Sequence, residues 1–181
     1  MTQNLPESIS IAKGVTMTFL KNAEYVTRVT FTGDADCEGL FVPFHWHETH
    51  DEIMRIESGQ IKIAMGSTPY KVYTPEDGEV FIPKGTPHSL MSVKGIPTVV
   101  MERTVPMDGS KELFFRNLFA IRGGPLGSLL PVMQVFYYGD GMPTFPIHIP
   151  WLEKAFVTLL GYYIAPLLGY QLKYPDLKKT S

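Results

Sequence analysis

The stretch that decides the reading is His45-Trp46-His47-Glu48-Thr49-His50-Asp51-Glu52. His45 and His47 are two apart, so on a β-strand both imidazoles point to one face while Trp46 points to the other. Trp46 therefore reads as a packing residue. Glu52 returns to the histidine face if residues 48–51 bend and a new strand begins. Outward from this stretch, His88 follows the turn Pro83-Lys84-Gly85-Thr86-Pro87, and a neighbouring strand would carry its imidazole to the same point. Three imidazoles and one carboxylate converging in this way make a metal site. The donor set suits Fe(II), Mn(II), Co(II), Ni(II) or Zn(II), and the lack of thiolates argues against copper(I) or iron–sulfur centres. Four protein ligands around an octahedral ion leave two positions open, as a catalytic rather than a closed structural site requires.

The surrounding sequence has the punctuation of a β-protein. Sixteen glycines and fifteen prolines break the 181 residues into short elements. Residues 25–32 alternate, with Tyr25, Val29 and Phe31 on one side and Arg28, Thr30 and Thr32 on the other. Residues 60–65 repeat the pattern. Ser58-Gly59-Gln60 reads as a hairpin turn after a strand over Glu52–Ile56, and residues 79–82 and 98–103 read as two further strands. Beyond Pro106 the character changes. Ser110 is the expected N-cap of a helix over Lys111–Ile121, stopped by Gly123-Gly124-Pro125. A second apolar stretch, Leu129–Tyr138, ends at Gly139-Asp140-Gly141, and a third begins at Trp151. That third stretch is free of charge from Ala155 to Leu172, but Gly161, Pro166 and Gly169 interrupt it. Two short helices fit it better than a membrane span.

The motif spacing resembles that of the cupin superfamily. Gly39, His45, His47, Glu52 and Gly59 match the first cupin motif at each defined position, and Pro83-x-Gly85-x-x-His88 matches the core of the second. Gly78 stands one place closer to Pro83 than the family pattern has it, with Asp77 in the usual place, and Ser92 stands where Asn is common. Neither departure touches a ligand. The resemblance spans about residues 24–104. It implies an all-β domain, a double-stranded β-helix or jelly-roll barrel over residues 1–106; the apolar stretches beyond it read as a mostly helical C-terminal extension over 107–181. It implies His45, His47, Glu52 and His88 as ligands of one divalent metal ion, with Fe(II) favoured over Mn(II), Ni(II), Co(II) and Zn(II).

Strand alternation then names the expected substrate-binding residues. Met54 and Ile56 share the face of Glu52, Leu90 and Ser92 share that of His88, and Phe41 and Pro43 precede His45. Either Glu102 or Arg103 should face inward, and Arg103 is the residue suited to hold a substrate carboxylate. His50, on the bend, is a candidate proton shuttle, although a loop histidine is more often solvent-exposed. His148 reads as structural or surface.

An apolar, Met-rich lining favours a small hydrophobic or aromatic metabolite. An oxygen-dependent, dioxygenase-like oxidoreductase is the first expectation. A redox-neutral isomerase, cyclase or decarboxylase is the second, and a non-catalytic ligand binder the third. The apolar tail with Phe114, Phe115 and Phe119 resembles those of small fungal cupins of specialised-metabolite pathways, which implies a polyketide- or terpenoid-like substrate. Composition excludes other classes. With 44% apolar residues, 19% charged residues and a net charge of −2, the chain is neither disordered nor a nucleic-acid binder; its one locally basic feature is Lys178-Lys179. Cys37 is alone, so no intrachain disulfide forms. The N-terminus lacks the pattern of a signal peptide. A cytoplasmic homodimer is the expected state, with membrane association not favoured.

Overall fold

A computed structural model describes residues 5–122 and 128–175. The Gly123-Gly124-Pro125 stop and the Lys178-Lys179 pair lie outside the described residues. The strands are β1 (Ser8–Ala12), β2 (Val15–Phe19), β3 (Thr27–Phe31), β4 (Phe41–Trp46), β5 (Asp51–Ser58), β6 (Ile61–Met65), β7 (Lys71–Tyr73), β8 (Glu79–Ile82), β9 (His88–Ser92), β10 (Thr98–Val105) and β11 (Met142–Pro143). They form a six-stranded sheet, β1-β2-β3-β10-β5-β8, and a five-stranded sheet, β11-β4-β9-β6-β7. From β4 to β10 successive strands change sheet at every step but β6 to β7. This is the winding of a double-stranded β-helix. Among the described residues, contacts cluster into two compact units: Met1–Pro43 with Asp51–Ile82 and His88–Val105, and Phe44–His50 with Pro83–Pro87 and Pro106–Ser181.

The first unit is built on period two. Thr27, Val29 and Phe31 of β3 are buried while Arg28 and Thr30 are exposed, as the alternation of residues 25–32 predicts. On β5, Glu52 stands opposite Ile82 and Thr104, Met54 opposite Val80 and Glu102, and Ile56 opposite Val100. Directly opposed residues share a face, and all of these are buried. The Ser58-Gly59-Gln60 turn is not a hairpin. β5 pairs with β8 and β10, whereas β6 pairs with β7 and β9, so the turn hands the chain from one sheet to the other. Gly59 makes this possible. Its φ is 73°, and a Cβ there would stand 2.2 Å from the Pro97 carbonyl oxygen, closer than any side chain is tolerated.

The second unit carries the helices α1 (Ser110–Leu118), α2 (Leu129–Tyr138) and α3 (Pro150–Val157). A π-helical stretch over Thr158–Ile164 follows α3 and leads into α4 (Ala165–Leu167). α1 is capped by Gly109 in the left-handed region rather than by Ser110; the Asp108 carboxylate accepts from the Ser110 amide at 2.9 Å, which draws Ser110 into the first turn. The third apolar stretch is one helical run, not two helices. Pro166 falls just after the π-helical stretch, near the end of the run. Trp46, Val132, Met133, Met142 and Val157 form the buried apolar cluster of this unit. Gly161 lies so close to α2 that a Cβ would meet the Met133 carbonyl oxygen at 2.2 Å. Among the described residues, no helix is long and apolar enough to cross a membrane.

Candidate metal centre

Trp46 ends β4, with His45 before it in the strand and His47 one residue past its end. Trp46 is buried in the apolar cluster, and its indole N–H donates to the Glu153 carboxylate at 2.7 Å. His45 and His47 lie together with ring centroids 5.1 Å apart and planes nearly perpendicular. His47 is held from two sides. Its main-chain carbonyl accepts from the Gly85 amide at 2.7 Å, which docks the Pro83–Pro87 turn onto it. Its Nδ1 lies 2.7 Å from the Asp140 carbonyl oxygen. A carbonyl only accepts, so Nδ1 carries the proton and Nε2 keeps its lone pair, the form a metal ligand needs.

Glu52 is the second residue of β5 and His88 the first of β9, and both are almost fully buried. Glu52 Oε2 and His88 Nε2 are 2.8 Å apart. Two donors each about 2.1 Å from one ion, and at right angles around it, stand about 3.0 Å apart, so this spacing fits neighbouring positions on a shared cation. One ligand atom from each of His45, His47, Glu52 and His88 lies within 4.8 Å of the others. The donor set, three nitrogens and one hard oxygen, suits a borderline divalent ion.

Gly39 and Ser92 support this frame. Gly39 has φ 70°, and a Cβ there would press on Ser92 Oγ at 2.4 Å. That oxygen also accepts from the Leu40 amide at 2.9 Å. Ser92 thus fastens the chain entering β4 to β9, and its hydroxyl is engaged in that task. Met54, Ile56 and Leu90 are buried at the parity of the Glu52 and His88 side chains. Phe41 is more than half exposed.

The inward residue of β10 is Glu102, not Arg103. Val100, Glu102 and Thr104 are buried, while the Arg103 guanidinium reaches the Glu79 carboxylate at 3.1 Å on the other face. The Tyr25 hydroxyl donates to the same carboxylate at 2.6 Å, and these two partners hold Glu79 below the usual carboxylate range. Burial and the Glu79 carboxylate push the Tyr25 hydroxyl up.

His50 is not exposed. It is buried, stacks on His47 at 4.3 Å between ring centroids, and its Nδ1 lies 3.1 Å from Asp140 Oδ2. Burial raises the Asp140 carboxyl, but hydrogen bonds from His50 and Thr49 outweigh it and hold the group below its ordinary value. His47, His50 and Asp140 form a second group of closely spaced donors. Asp140 escapes sequence reading because Gly139-Asp140-Gly141 looks only like a helix stop. The one local signal is its left-handed backbone, φ 60°, a conformation in which Asp and Asn are enriched. His148 is an exposed residue whose ring is bonded to the buried Glu153 carboxylate at 2.9 Å, a structural position at the surface. A separate cleft lined by Asn117, Arg122, Gln134, Tyr170 and Leu172 has none of these donors on its walls.

No protein-family profile matches the chain. A curated protein from Arthrobotrys oligospora, named as an oxidoreductase, is 29% identical over 155 residues, which is 74% of this chain and 58% of that protein. The chain thus spans little more than half of that relative's length. Among solved structures, KdgF from a Halomonas species is 17% identical with a TM-score of 0.40, covering 54% of this chain and 84% of its own. The polyketide cyclase RemF from Streptomyces resistomycificus is 21% identical with a TM-score of 0.39, covering 51% and 65%. The Cnp3 cupin domain of Schizosaccharomyces pombe is 15% identical with a TM-score of 0.37, covering 52% and 66%.

Proposed function

We propose that this chain is a mononuclear metal-dependent oxidoreductase that uses dioxygen on a small hydrophobic or aromatic metabolite, with Fe(II) held by His45, His47, Glu52 and His88. The observation that carries the reading is the convergence of those four donor atoms within 4.8 Å. The likeness to a curated oxidoreductase over 74% of the chain supports the reaction class. When bound, the ion would supply a Lewis-acidic, redox-capable centre with positions left for substrate and dioxygen. The protein's own part is orientation and exclusion of water. The Asp140 carbonyl keeps the His47 proton on Nδ1, and Met54, Ile56 and Leu90 present apolar surface at the parity of the Glu52 and His88 side chains, a lining suited to an apolar ring or chain.

Glu102 favours a second reading. A buried carboxylate opposite Met54, itself two residues from Glu52 along β5, is placed to take or give a proton. A redox-neutral isomerase, cyclase or decarboxylase needs such a group.

Elemental analysis of protein purified without added chelator should find about one divalent ion per chain, and His47→Ala or Glu52→Ala should lose it. Turnover of phenolic and polyketide-like probes should consume oxygen and stop under argon. Turnover that continues under argon, or with Zn(II) in place of Fe(II), transfers the case to the redox-neutral reading. Wild-type protein that takes up no metal ends both.

A further inference from the structure

We propose that Asp140 is the positioning residue of the metal centre, fixing both the tautomer of His47 and the path of the loop between His47 and Glu52. The inference rests on the metal-binding reading above. Asp140 lies just past the end of α2 and is 6% exposed. Its backbone carbonyl and its carboxylate both engage the same short segment. The carbonyl accepts from His47 Nδ1 at 2.7 Å. The carboxylate accepts from the Glu48 amide at 3.1 Å, from the Thr49 amide at 2.7 Å, from the Thr49 hydroxyl at 2.6 Å and from His50 Nδ1 at 3.1 Å.

These five donors meet one residue, and the four given to the carboxylate are charge-assisted, the stronger kind of hydrogen bond. The left-handed backbone at Asp140, φ 60°, is what lets carbonyl and carboxylate act together. It is uncommon outside glycine and is kept where surrounding contacts over-determine it. The segment so clamped follows His47 directly and lies between two of the four candidate ligands in the chain. Partners of this kind orient a ligand without touching the ion, and their loss lowers metal affinity about 10–100-fold. His47, His50 and Asp140 are also close enough to bind a cation directly. The contacts argue for the positioning role, because the Asp140 oxygens already accept from four donors and His47 Nδ1 is committed to a carbonyl.

The test is Co(II) titration of the full-length protein, followed by the visible d–d absorption of cobalt and by calorimetry. For Asp140→Asn, the expected result is a Co(II) affinity about 10–100-fold weaker than wild type with the cobalt spectrum unchanged in shape, in metal-free protein that still unfolds in one cooperative thermal transition. Thr49→Val, which removes only the hydroxyl contact, should weaken Co(II) about threefold to tenfold; it carries the test if Asp140→Asn does not fold. Wild-type affinity in both variants overturns the positioning role. An altered cobalt spectrum in Asp140→Asn makes Asp140 a direct ligand and overturns it as well. A wild-type protein that binds no Co(II) removes the metal reading itself, an outcome separate from both.

Discussion

Glu79 accepts from the Tyr25 hydroxyl at 2.6 Å and from Arg103 at 3.1 and 3.2 Å. The cluster decides which neighbour on β10 turns inward, because Arg103 is drawn to the Glu79 face and Glu102 takes the buried one. Sequence alone leaves that choice open: two adjacent charged residues on one strand give no parity, and a one-residue shift of register exchanges them. The cluster also has a pH consequence. Its partners lower the Glu79 pKa in the folded state, so its stabilisation is full above the unfolded carboxylate value of about 4.3 and is lost as pH falls through the lower folded value. Glu79→Gln should cost about 1 kcal/mol at pH 7, kept small by solvent screening at this partly exposed site. The gap between wild type and variant should shrink at pH 3, as read from urea midpoints. An equal gap at both pH values would contradict the assignment.

At the scale of elements, α3 is fastened to β4 by one buried carboxylate. Glu153 is fully buried and accepts from the Trp46 indole at 2.7 Å, from the Phe145 amide at 2.7 Å and from His148 at 2.9 Å. Glu153→Ala would strand these donors in an apolar setting and should cost about 3 kcal/mol or more, while Glu153→Gln, which keeps an acceptor, should cost less. Chemical denaturation measures both, and an alanine variant as stable as the parent would refute the anchoring role.

The legible elements were those whose own residues mark both ends. α2 occupies Leu129–Tyr138, the limits its apolar run and Gly139 set. The run from α3 to α4 was not legible as one helix. Pro166 reads as a break in the sequence, whereas the helical run passes through a π-helical stretch just before it and ends one residue after it. Ser58-Gly59-Gln60 was legible as a turn but not as a change of sheet, since which sheet a strand joins is decided by partners distant in the chain.

Across the whole molecule, the part of the candidate centre that local spacing marks is His45, His47, Glu52 and His88, which stand in, or one residue past, the short strands β4, β5 and β9. What spacing does not encode is Asp140, which meets His47 across 93 positions of chain. No short-range pattern reports a partner at that separation. The central claim, that those four donors share one ion, is tested most directly by crystals grown with Co(II) and an anomalous difference map at the cobalt edge. A single dominant peak about 2.0–2.2 Å from donor atoms of His45, His47, Glu52 and His88 is expected. A map empty at that point, or a peak seated instead on His50 and Asp140, would contradict it.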